Sequence, residues 1–537
     1  MKWKNVCSLA VAATMFAGCS APTTGETSDG EDGSSVVVQI DADLNTMDHH
    51  IATDASSFIM QTMCFSGLTS LDENGQPVSE LAKSWDVSED GKTYTFHLDE
   101  NAQWSDGTPV TADDFVFAWQ RLDDPETASE YAFILDTIHV KNAAEVNAGE
   151  MDVSELGVRA IDEHTFEVQL ELPCEFMLGL LAFPSFFPLN RAFYESHVDS
   201  YAQSPEDMLY CGPYDMSSWE QGSEYTFEKN EDYFNTDADS VDEVTFKFIQ
   251  DTQSALLAYE QGDIDVVNLQ SEQVDQYKED SGFNQRLTGY LWYLSVNFHD
   301  ETMQNENLRA AIAYGIDRKT IAEEVLKDGS VAAEGLVPRD FAFSSSGVDF
   351  RDEAGALSTY DPDLAEEYYE KAKAELGGDV TVELLFEDSE ASKAVAENIQ
   401  AQLQSSCPGL TINLNSKPKK TRLEMMRTQE YQIGLTMWGP DYADPQTFLD
   451  LFDTENNAGY SNPDYDALVK SANYGEDASD PEKRWADYLE AEKIILTEDY
   501  GIIPVYQKGG ALVINPQFTG IAFHNGGVDD YRHIHAV

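Results

Sequence analysis

Asp441 lies in a short stretch, residues 437–452, whose composition sets it apart from most other carboxylates of the chain. It follows the apolar Trp438 by three positions and is flanked by Pro440 and Pro445, which mark turns. Most of the 99 acidic residues are expected on the solvated surface, because acidic side chains are seldom buried unless they are paired. A carboxylate placed between a tryptophan and two turn signals is a candidate for a functional group.

Enzyme chemistry is not indicated by the remaining motifs. The sequence contains no G-x-S-x-G, H-E-x-x-H, P-loop or G-x-G-x-x-G pattern. The other candidates for metal binding or acid catalysis are isolated pairs: His49 with His50, His533 with His535, Asp113 with Asp114, and Asp529 with Asp530. The histidines lack a matching cysteine or carboxylate motif, so we expect them on the surface. Acid pairs arise by chance in so acidic a chain, and helix capping explains the first of them. We therefore predict no enzyme activity, no cofactor and no metal.

The charge and length of the chain limit its partners and its organisation. Its 537 residues are too many for one ordinary domain, and 42% hydrophobic residues are ample for packed cores. The formal net charge of −67 repels nucleic acids and anionic membrane surfaces. We expect no nucleic-acid partner.

The first 35 residues carry processing signals. Lys2 and Lys4 precede a short apolar run, and Ala17-Gly18-Cys19 is a small-residue cleavage site, which predicts a signal peptide over residues 1–18. The cysteine after that site resembles the bacterial lipobox, which implies a lipidated Cys19 and a flexible tether over residues 19–35. An ordinary cleaved signal with a chance cysteine is the alternative. The protein is thus expected to be exported and lipid-anchored to the outer face of the cytoplasmic membrane.

From residue 36 onward the pattern is mixed α/β. "KTYTFHL" alternates as a half-buried strand, and Thr111 with Asp114 forms a capping box at a helix start. Asp361 and Gly377 are the predicted caps of one clean helix, in which Leu364, Tyr368, Ala372 and Leu376 are expected to face inward. "VTVELLF" and "LTINLNS" flank a helix at about residues 393–404, and this βαβ order predicts a parallel or mixed sheet. Four further cysteines lie far apart, and their pairing is left open: Cys64, Cys174, Cys211 and Cys407.

Several segments, in order, resemble the oligopeptide- and dipeptide-binding proteins of ABC importers, family 5 of the extracytoplasmic solute-binding proteins. They are "LAKSWDVSEDGKTYTFHLDENAQWSDGTPVTADDFVFAWQRL", "CGPY", "LAYEQGDIDVV", "LRAAIAYGIDRKTI", "WGPDYADPQTFLDLF", "GYSNPDYDALVKSA" and "GIIPVY". The resemblance covers about residues 36–510. It implies a two-lobed, periplasmic-binding-protein-like fold of type II, hinged between the lobes, with an extra domain inserted in the first lobe. By position, the first lobe is residues 36–66, 190–290 and 508–537, the extra domain 67–189, and the second lobe 291–507.

The resemblance also implies a site between the lobes, in which an extended peptide is held by backbone hydrogen bonds. Asp441 matches the family residue that binds the peptide α-ammonium, and Trp438 would line a side-chain pocket. The backbone at Met437, Gly439 and Pro440 would pair with the peptide. Further candidates by position are the first-lobe contacts Thr53, Asp54, Ala55 and Ser56, and the aromatic residues Tyr131, Tyr290, Trp292, Tyr293 and Tyr506. A loop cap for Asp441, and packing roles for Trp438 and the other aromatic residues, are the alternatives.

The partner of the peptide carboxylate is less defined. Leu435 stands where some family members carry arginine, and Arg427 is the nearest preceding basic residue. The expected protein is a monomer that passes its peptide to the permease subunits of a transporter. On the same fold, relatives bind oligosaccharides, nickel chelates or haem, and a peptide-sensing surface receptor would share the cleft.

Overall fold

The computed structural model describes residues 34–235, 239–270, 272–453 and 456–537. The predicted signal peptide, Cys19 and the tether up to residue 33 lie outside the described residues. None of the helices in the described part combines the length and apolar character that crossing a bilayer requires.

Helices and strands alternate through this part of the chain, as the mixed α/β pattern predicts. The strands are, in chain order, β1 (Ser35–Ile40), β2 (Thr69–Leu71), β3 (Pro77–Ser79), β4 (Ala82–Val87), β5 (Thr93–Leu98), β6 (Val158–Asp162), β7 (Thr165–Gln169), β8 (Tyr214–Glu220), β9 (Glu224–Lys229), β10 (Glu243–Phe248), β11 (Val266–Leu269), β12 (Phe283–Val296), β13 (Val331–Ala332), β14 (Thr381–Glu387), β15 (Thr411–Lys417), β16 (Ile433–Trp438), β17 (Ile502–Ile514), β18 (Phe518–Thr519) and β19 (His535–Ala536). The α-helices are α1 (Ala55–Cys64), α2 (Ala112–Asp123), α3 (Phe133–Thr137), α4 (Ala143–Asn147), α5 (Met177–Leu180), α6 (Arg191–Ser196), α7 (Thr252–Gln261), α8 (Glu272–Tyr277), α9 (Glu306–Tyr314), α10 (Arg318–Thr320), α11 (Phe350–Ala354), α12 (Pro362–Leu376), α13 (Glu390–Ser406), α14 (Lys419–Arg427), α15 (Gln446–Leu449), α16 (Pro463–Tyr474) and α17 (Pro481–Lys493).

One large mixed sheet connects most of the described chain, in the order β15-β14-β16-β12-β17-β11-β1-β10-β9-β8, with β13 paired to β17. The two long strands β12 and β17 lie side by side at its centre and run antiparallel. At one end β17 pairs with β11, and at the other end β12 pairs with β16. The register between the two long strands is interrupted between Leu287 and Leu291. This interruption falls beside the predicted lobe boundary at residues 290 and 291.

The apolar cores follow the same division of the sheet. The largest cluster holds residues of the predicted first lobe, such as Val244, and of the predicted extra domain, such as Phe96; Tyr442 is its one buried member from the predicted second lobe. Two other clusters draw their buried members from between Leu291 and Tyr506. Because one continuous core serves the first lobe and the extra domain, packing does not separate these two, and their boundaries stay a prediction.

Local sequence signals place several elements correctly. β5 buries Tyr94, Phe96 and Leu98, which confirms the alternating strand. At the start of α2 the Thr111 backbone N–H donates to Asp114 Oδ2 at 2.8 Å, so the capping box is confirmed. The parallel pair β14 and β15 flanks α13, which confirms the βαβ unit.

The predicted inward face of α12 is confirmed for Ala372 and wrong for Leu376, while Leu364 and Tyr368 are half-buried; both predicted helix ends are right. Asp361 caps the helix by accepting the Leu364 N–H at 3.0 Å, and Gly377 ends it with φ of 84°. The buried residues are Ala365, Tyr369 and Ala372, whereas Leu376 is exposed. The apolar residues of this helix are spread over more than one stripe, so periodicity alone did not select the face that packs against the core.

His49 and His50 are buried rather than on the surface, which corrects the sequence-based expectation. The His49 ring packs against Phe65 with 5.3 Å between ring centroids, and burial lowers the pKa of His49 to about 4. Arg121 Nη1 donates to His50 Nδ1 at 2.7 Å and also forms an ion pair with Asp48. Among the described residues, no group of histidine, cysteine, aspartate and glutamate side chains is arranged to hold a metal ion.

The four cysteines left open by the sequence are buried free thiols in this structure: Cys64, Cys174, Cys211 and Cys407.

Candidate ligand-binding site

Asp441 lies three residues beyond the end of β16, an inner strand of the large sheet. β16 pairs antiparallel with β12 on one side and parallel with β14 on the other. The Tyr131 hydroxyl donates to Asp441 Oδ1 at 2.9 Å, although the two residues are 310 positions apart. Tyr131 belongs to the predicted extra domain and Asp441 to the predicted second lobe. This hydrogen bond therefore links two parts of the chain that the resemblance places on opposite sides of the ligand.

The carboxylate of Asp441 is poorly compensated. Burial raises the pKa of Asp441 to about 6, although the hydrogen bond from Tyr131 acts in the opposite direction. Within the described chain no lysine, arginine or histidine forms an ion pair with it. Asp441 is half-buried, and a partly desolvated carboxylate without a cation is energetically costly, so a positively charged ligand group would relieve the site.

The turn between β16 and Asp441 is built by close packing. An added Cβ at Gly439 would lie 2.1 Å from Cε1 of Tyr290, so only glycine lets the backbone approach that ring. Pro440 is buried and has no backbone N–H to continue the strand. Trp438 is half-buried, and its Nε1 donates to Thr447 Oγ1 at 3.1 Å.

Asp441 lines a cavity of about 620 Å³. This volume is within the range of roughly 300–1,000 Å³ that is usual for small-molecule sites. Five segments supply its wall: residues 62–77, 175–187, 341–347, 441–444 and 524–532. The rings of Phe176 and Tyr442 stack at 4.7 Å with an interplanar angle of 11°, which joins two of these segments. The cavity is therefore assembled from distant parts of the chain.

Most other residues predicted for the site lie outside this cavity wall. Met437 and Trp438 pack against the apolar clusters of the predicted second lobe. Trp292 and Tyr506 are buried and stack at 5.7 Å, and Tyr293 is buried in a separate cluster. These aromatic side chains form part of the packing on either side of the central strands.

The first-lobe segment 53–56 has a capping role in the structure. Asp54 caps α1 by accepting the Ser57 N–H at 2.9 Å. Ser56 is buried and donates through its hydroxyl to the Ala42 carbonyl at 3.1 Å. Thr53 and Ala55 are exposed. None of the four lines the Asp441 cavity.

Arg427, predicted as a substitute partner for the peptide carboxylate, is not brought to Asp441. It is exposed at the end of α14 and forms an ion pair with Glu424 on the same helix. It borders a separate surface hollow formed by α14 itself. The wall of the Asp441 cavity contains one arginine instead, Arg532.

Several wall residues were missed by the sequence analysis. Glu175 and Phe176 follow the buried Cys174, and no local motif marks them. The Gly526–Gly527 pair could have been found from the sequence, because adjacent glycines often mark a close approach of two backbones. An added Cβ at Gly526 would lie 2.8 Å from the Ala443 nitrogen.

Comparisons with known proteins agree on one family. Residues 76–460 match the model of the bacterial extracellular solute-binding proteins, family 5 Middle. The dipeptide-binding protein of Lactococcus lactis subsp. cremoris (strain MG1363) is 31% identical over 509 residues, which cover 91% of this chain and 92% of that protein.

Two solved structures share the fold over 94% of this chain. Listeria monocytogenes OppA bound to peptide has a TM-score of 0.82 and 32% identity, and the match covers 100% of that chain. The pheromone receptor PrgZ has a TM-score of 0.82 and 31% identity, with 99% of its chain covered. The fold is thus the α/β, two-lobed, periplasmic-binding-protein-like fold of type II, and the chain belongs to family 5 of the bacterial extracellular solute-binding proteins.

Proposed function

We propose that this protein captures peptides outside the cytoplasm and delivers them to the permease of an ABC importer. The peptide lies in the cleft with its α-ammonium against Asp441, and its N-terminal residues enter the cavity that Asp441 lines. Release at the permease follows reopening of the lobes. No covalent step is involved.

The observation that carries this proposal is the poorly compensated carboxylate of Asp441. Its single described side-chain partner is a neutral hydroxyl, that of Tyr131. A free peptide N-terminus supplies both a positive charge and N–H donors, so it forms a charge-assisted hydrogen bond there. A neutral oligosaccharide has no group that needs such a partner. The Lactococcus relative is named for dipeptide binding and the Listeria structure contains a peptide, which supports the same ligand class.

The Asp441 carboxylate provides the direct test. We expect Asp441→Asn to weaken binding of peptides with a free N-terminus by roughly 2–5 kcal/mol, because a buried charge pair is lost. N-acetylated versions of the same peptides should lose much less. Isothermal titration on the purified protein measures both, with Glu126→Gln, an exposed acid, as the matched control. Equal losses for free and acetylated peptides would remove Asp441 from the ammonium role.

Ligand class is established beforehand by a thermal-shift screen. Peptides of about two to eight residues are compared with simple sugars and nickel–histidine, and a ligand at 100 times its Kd stabilises by about 2.7 kcal/mol. Stabilisation by sugars or the chelate, with none by peptides, would contradict the proposal.

Anchoring through Cys19 is the second part of the proposal, and it is supported by the lipobox-like sequence at residues 17–19. Cells expressing the wild-type chain should retain the protein in the membrane fraction and incorporate labelled fatty acid. The Cys19→Ala variant should lose the label and leave the membrane fraction. A Cys64→Ala variant, which lacks one buried thiol, serves as the control that keeps the label. Unchanged labelling of Cys19→Ala would exclude the anchor.

A peptide-sensing receptor is the second candidate function, and the similarity to the pheromone receptor PrgZ favours it. It uses the same cleft and differs in what the loaded protein contacts. Uptake of a labelled peptide by cells distinguishes the two, since a sensor would bind the peptide without supporting its import.

A further inference from the structure

The charges in the cavity wall define which peptides fit it. Four carboxylate residues and one arginine of the described chain line it: Glu175, Asp441, Asp444, Asp530 and Arg532. Whether the cavity attracts or repels a ligand charge depends on which of these groups are already paired within the protein.

Two of the carboxylates are neutralised by buried arginines. Arg484, behind the wall, donates to both oxygens of Asp444 at 2.8 and 2.7 Å. Arg532 donates to both oxygens of Asp530, with distances of 2.7 and 3.0 Å. Both arginines are buried, and each bidentate pair offsets the guanidinium charge within the protein, so neither arginine adds net positive charge to the cavity.

The histidine in the wall is occupied as well. His524 Nδ1 lies 2.7 Å from the Val528 carbonyl oxygen, and Nε2 lies 3.0 Å from the Asp72 carbonyl oxygen. With both ring nitrogens engaged, His524 offers no donor to a ligand. Within the described wall, therefore, every cationic or potentially cationic side chain is committed to a protein acceptor.

Glu175 is exposed at the cavity wall, and no hydrogen bond or ion pair to its carboxylate occurs among the described residues. Arg484, which acts on Glu175 electrostatically, forms its ion pair with Asp444. The position of Glu175 is held from both sides, because Cys174 is buried and Phe176 stacks on Tyr442. Glu175 and Asp441 thus face one cavity from different segments, and neither forms an ion pair with a cation among the described residues.

We infer that the cavity selects peptides that carry a second positive charge close to the N-terminus, a lysine or arginine side chain whose cation is bound by Glu175. This inference rests on the proposed function, in which Asp441 already binds the α-ammonium. The peptide carboxylate finds no free cation in the wall, so the C-terminus lies outside the cavity. An acidic side chain in the same position meets like charge and is disfavoured.

A matched peptide series tests the inference. Peptides with a free N-terminus and a C-terminal amide differ only in having lysine, norleucine or glutamate at position 1, 2 or 3. For the purified wild-type protein, the Kd measured by isothermal titration should be about tenfold lower for lysine than for norleucine at one position, and higher for glutamate. In Glu175→Gln the lysine preference should fall to within about twofold, while the norleucine peptide keeps its affinity. Glu171→Gln, an exposed acid four residues away, should leave the preference intact.

The outcomes separate this inference from the proposed function. Equal affinity for the three side chains, or a lysine preference that survives in Glu175→Gln, overturns the inference, and the proposed function still stands if Asp441→Asn weakens the same peptides. A uniform loss for all three peptides in Glu175→Gln also overturns it, because that result indicates a structural role. If no peptide binds the wild-type protein, the proposed function fails and the inference fails with it.

Discussion

At the scale of single residues, the raised pKa of Asp441 predicts that peptide binding at the proposed site depends on pH. The pKa lies at about 6, above the ordinary value of 3.8, chiefly because the group is buried. Only the ionised carboxylate pairs with an ammonium, so binding should weaken as the pH falls through 6. At pH 5 about one tenth of the unliganded sites are ionised, and Kd for a free N-terminal peptide should rise about tenfold relative to pH 7.5.

The ionisation of Asp441 affects folding stability and peptide binding in opposite directions as the pH changes. Because the folded protein holds the Asp441 proton more tightly than the unfolded chain, the contribution of this group to stability falls as the pH rises from about 4 to about 6. The decrease in peptide affinity at low pH is therefore not a consequence of Asp441 destabilising the fold.

Two variants test whether Asp441 is the group that causes the pH dependence of binding. In Asp441→Asn, the Kd values of free and N-acetylated peptides should no longer differ in how they depend on pH. Tyr131→Phe removes the hydrogen bond that lowers the pKa of Asp441, so its midpoint should move to higher pH. A midpoint that is the same in Tyr131→Phe and wild type would show that another titrating group controls binding.

At the scale of secondary-structure elements, a buried ion pair joins two helices of the predicted second lobe. Arg351 of α11 and Glu492 of α17 form a salt bridge in which the side chains are 1% and 0% exposed. Glu492 Oε1 also accepts the backbone N–H groups of Leu336 and Val337 at 2.7 and 2.8 Å. The pair therefore connects two helices to the segment between β13 and α11.

Removing the arginine of this pair should be costly. Arg351→Leu leaves the Glu492 carboxylate buried without a cation, and we expect a loss of about 3–5 kcal/mol in the free energy of unfolding, measured by chemical denaturation. Arg339→Leu is the matched control, because Arg339 is 38% exposed and pairs with Glu334 and Asp352 near the surface. The free energy of unfolding of Arg339→Leu should fall by about 1 kcal/mol or less. Similar losses in both variants would show that burial of the pair is not what matters.

The elements also show how far the sequence alone could predict the fold. Helix ends depend on neighbouring residues, so Asp361, Gly377 and the Thr111–Asp114 capping box were read correctly. The inward face of α12 depends on what packs against it, and that information lies elsewhere in the chain. The burial of His49 and His50 was missed for the same reason, since Arg121 and Phe65 meet them only in the folded state.

The candidate site shows the same difference between features that neighbouring residues indicate and features that depend on distant parts of the chain. A single contiguous motif singles out Asp441, which lines the cavity, and its binding role stays a prediction. No such motif marks Glu175, whose proposed role depends on facing Asp441 across a cavity built from five separate segments. Pairing of Asp444 and Asp530 with arginines is likewise invisible in the sequence, although it determines the charge of the cavity.

At the scale of the whole molecule, repulsion between carboxylates opposes folding. The 32 basic residues can neutralise the charge of no more than a third of the 99 acidic ones, which leaves a large excess of negative charge. Added salt weakens both the repulsion and the surface ion pairs. The repulsion is the larger effect, because exposed ion pairs contribute only about 0–1 kcal/mol each and are outnumbered.

Salt should therefore stabilise this protein. Between about 0.02 and 0.5 M NaCl the screening length falls from roughly 20 Å to about 4 Å, and we expect Tm to rise by several degrees in a calorimetric scan at pH 7.5. Choline chloride at equal ionic strength is the control, since screening depends on ionic strength and not on which monovalent cation is present. An equal rise in both salts supports general repulsion. A rise in NaCl alone would point to sodium binding at particular carboxylates, and a fall in both would mean that the surface ion pairs outweigh the excess negative charge.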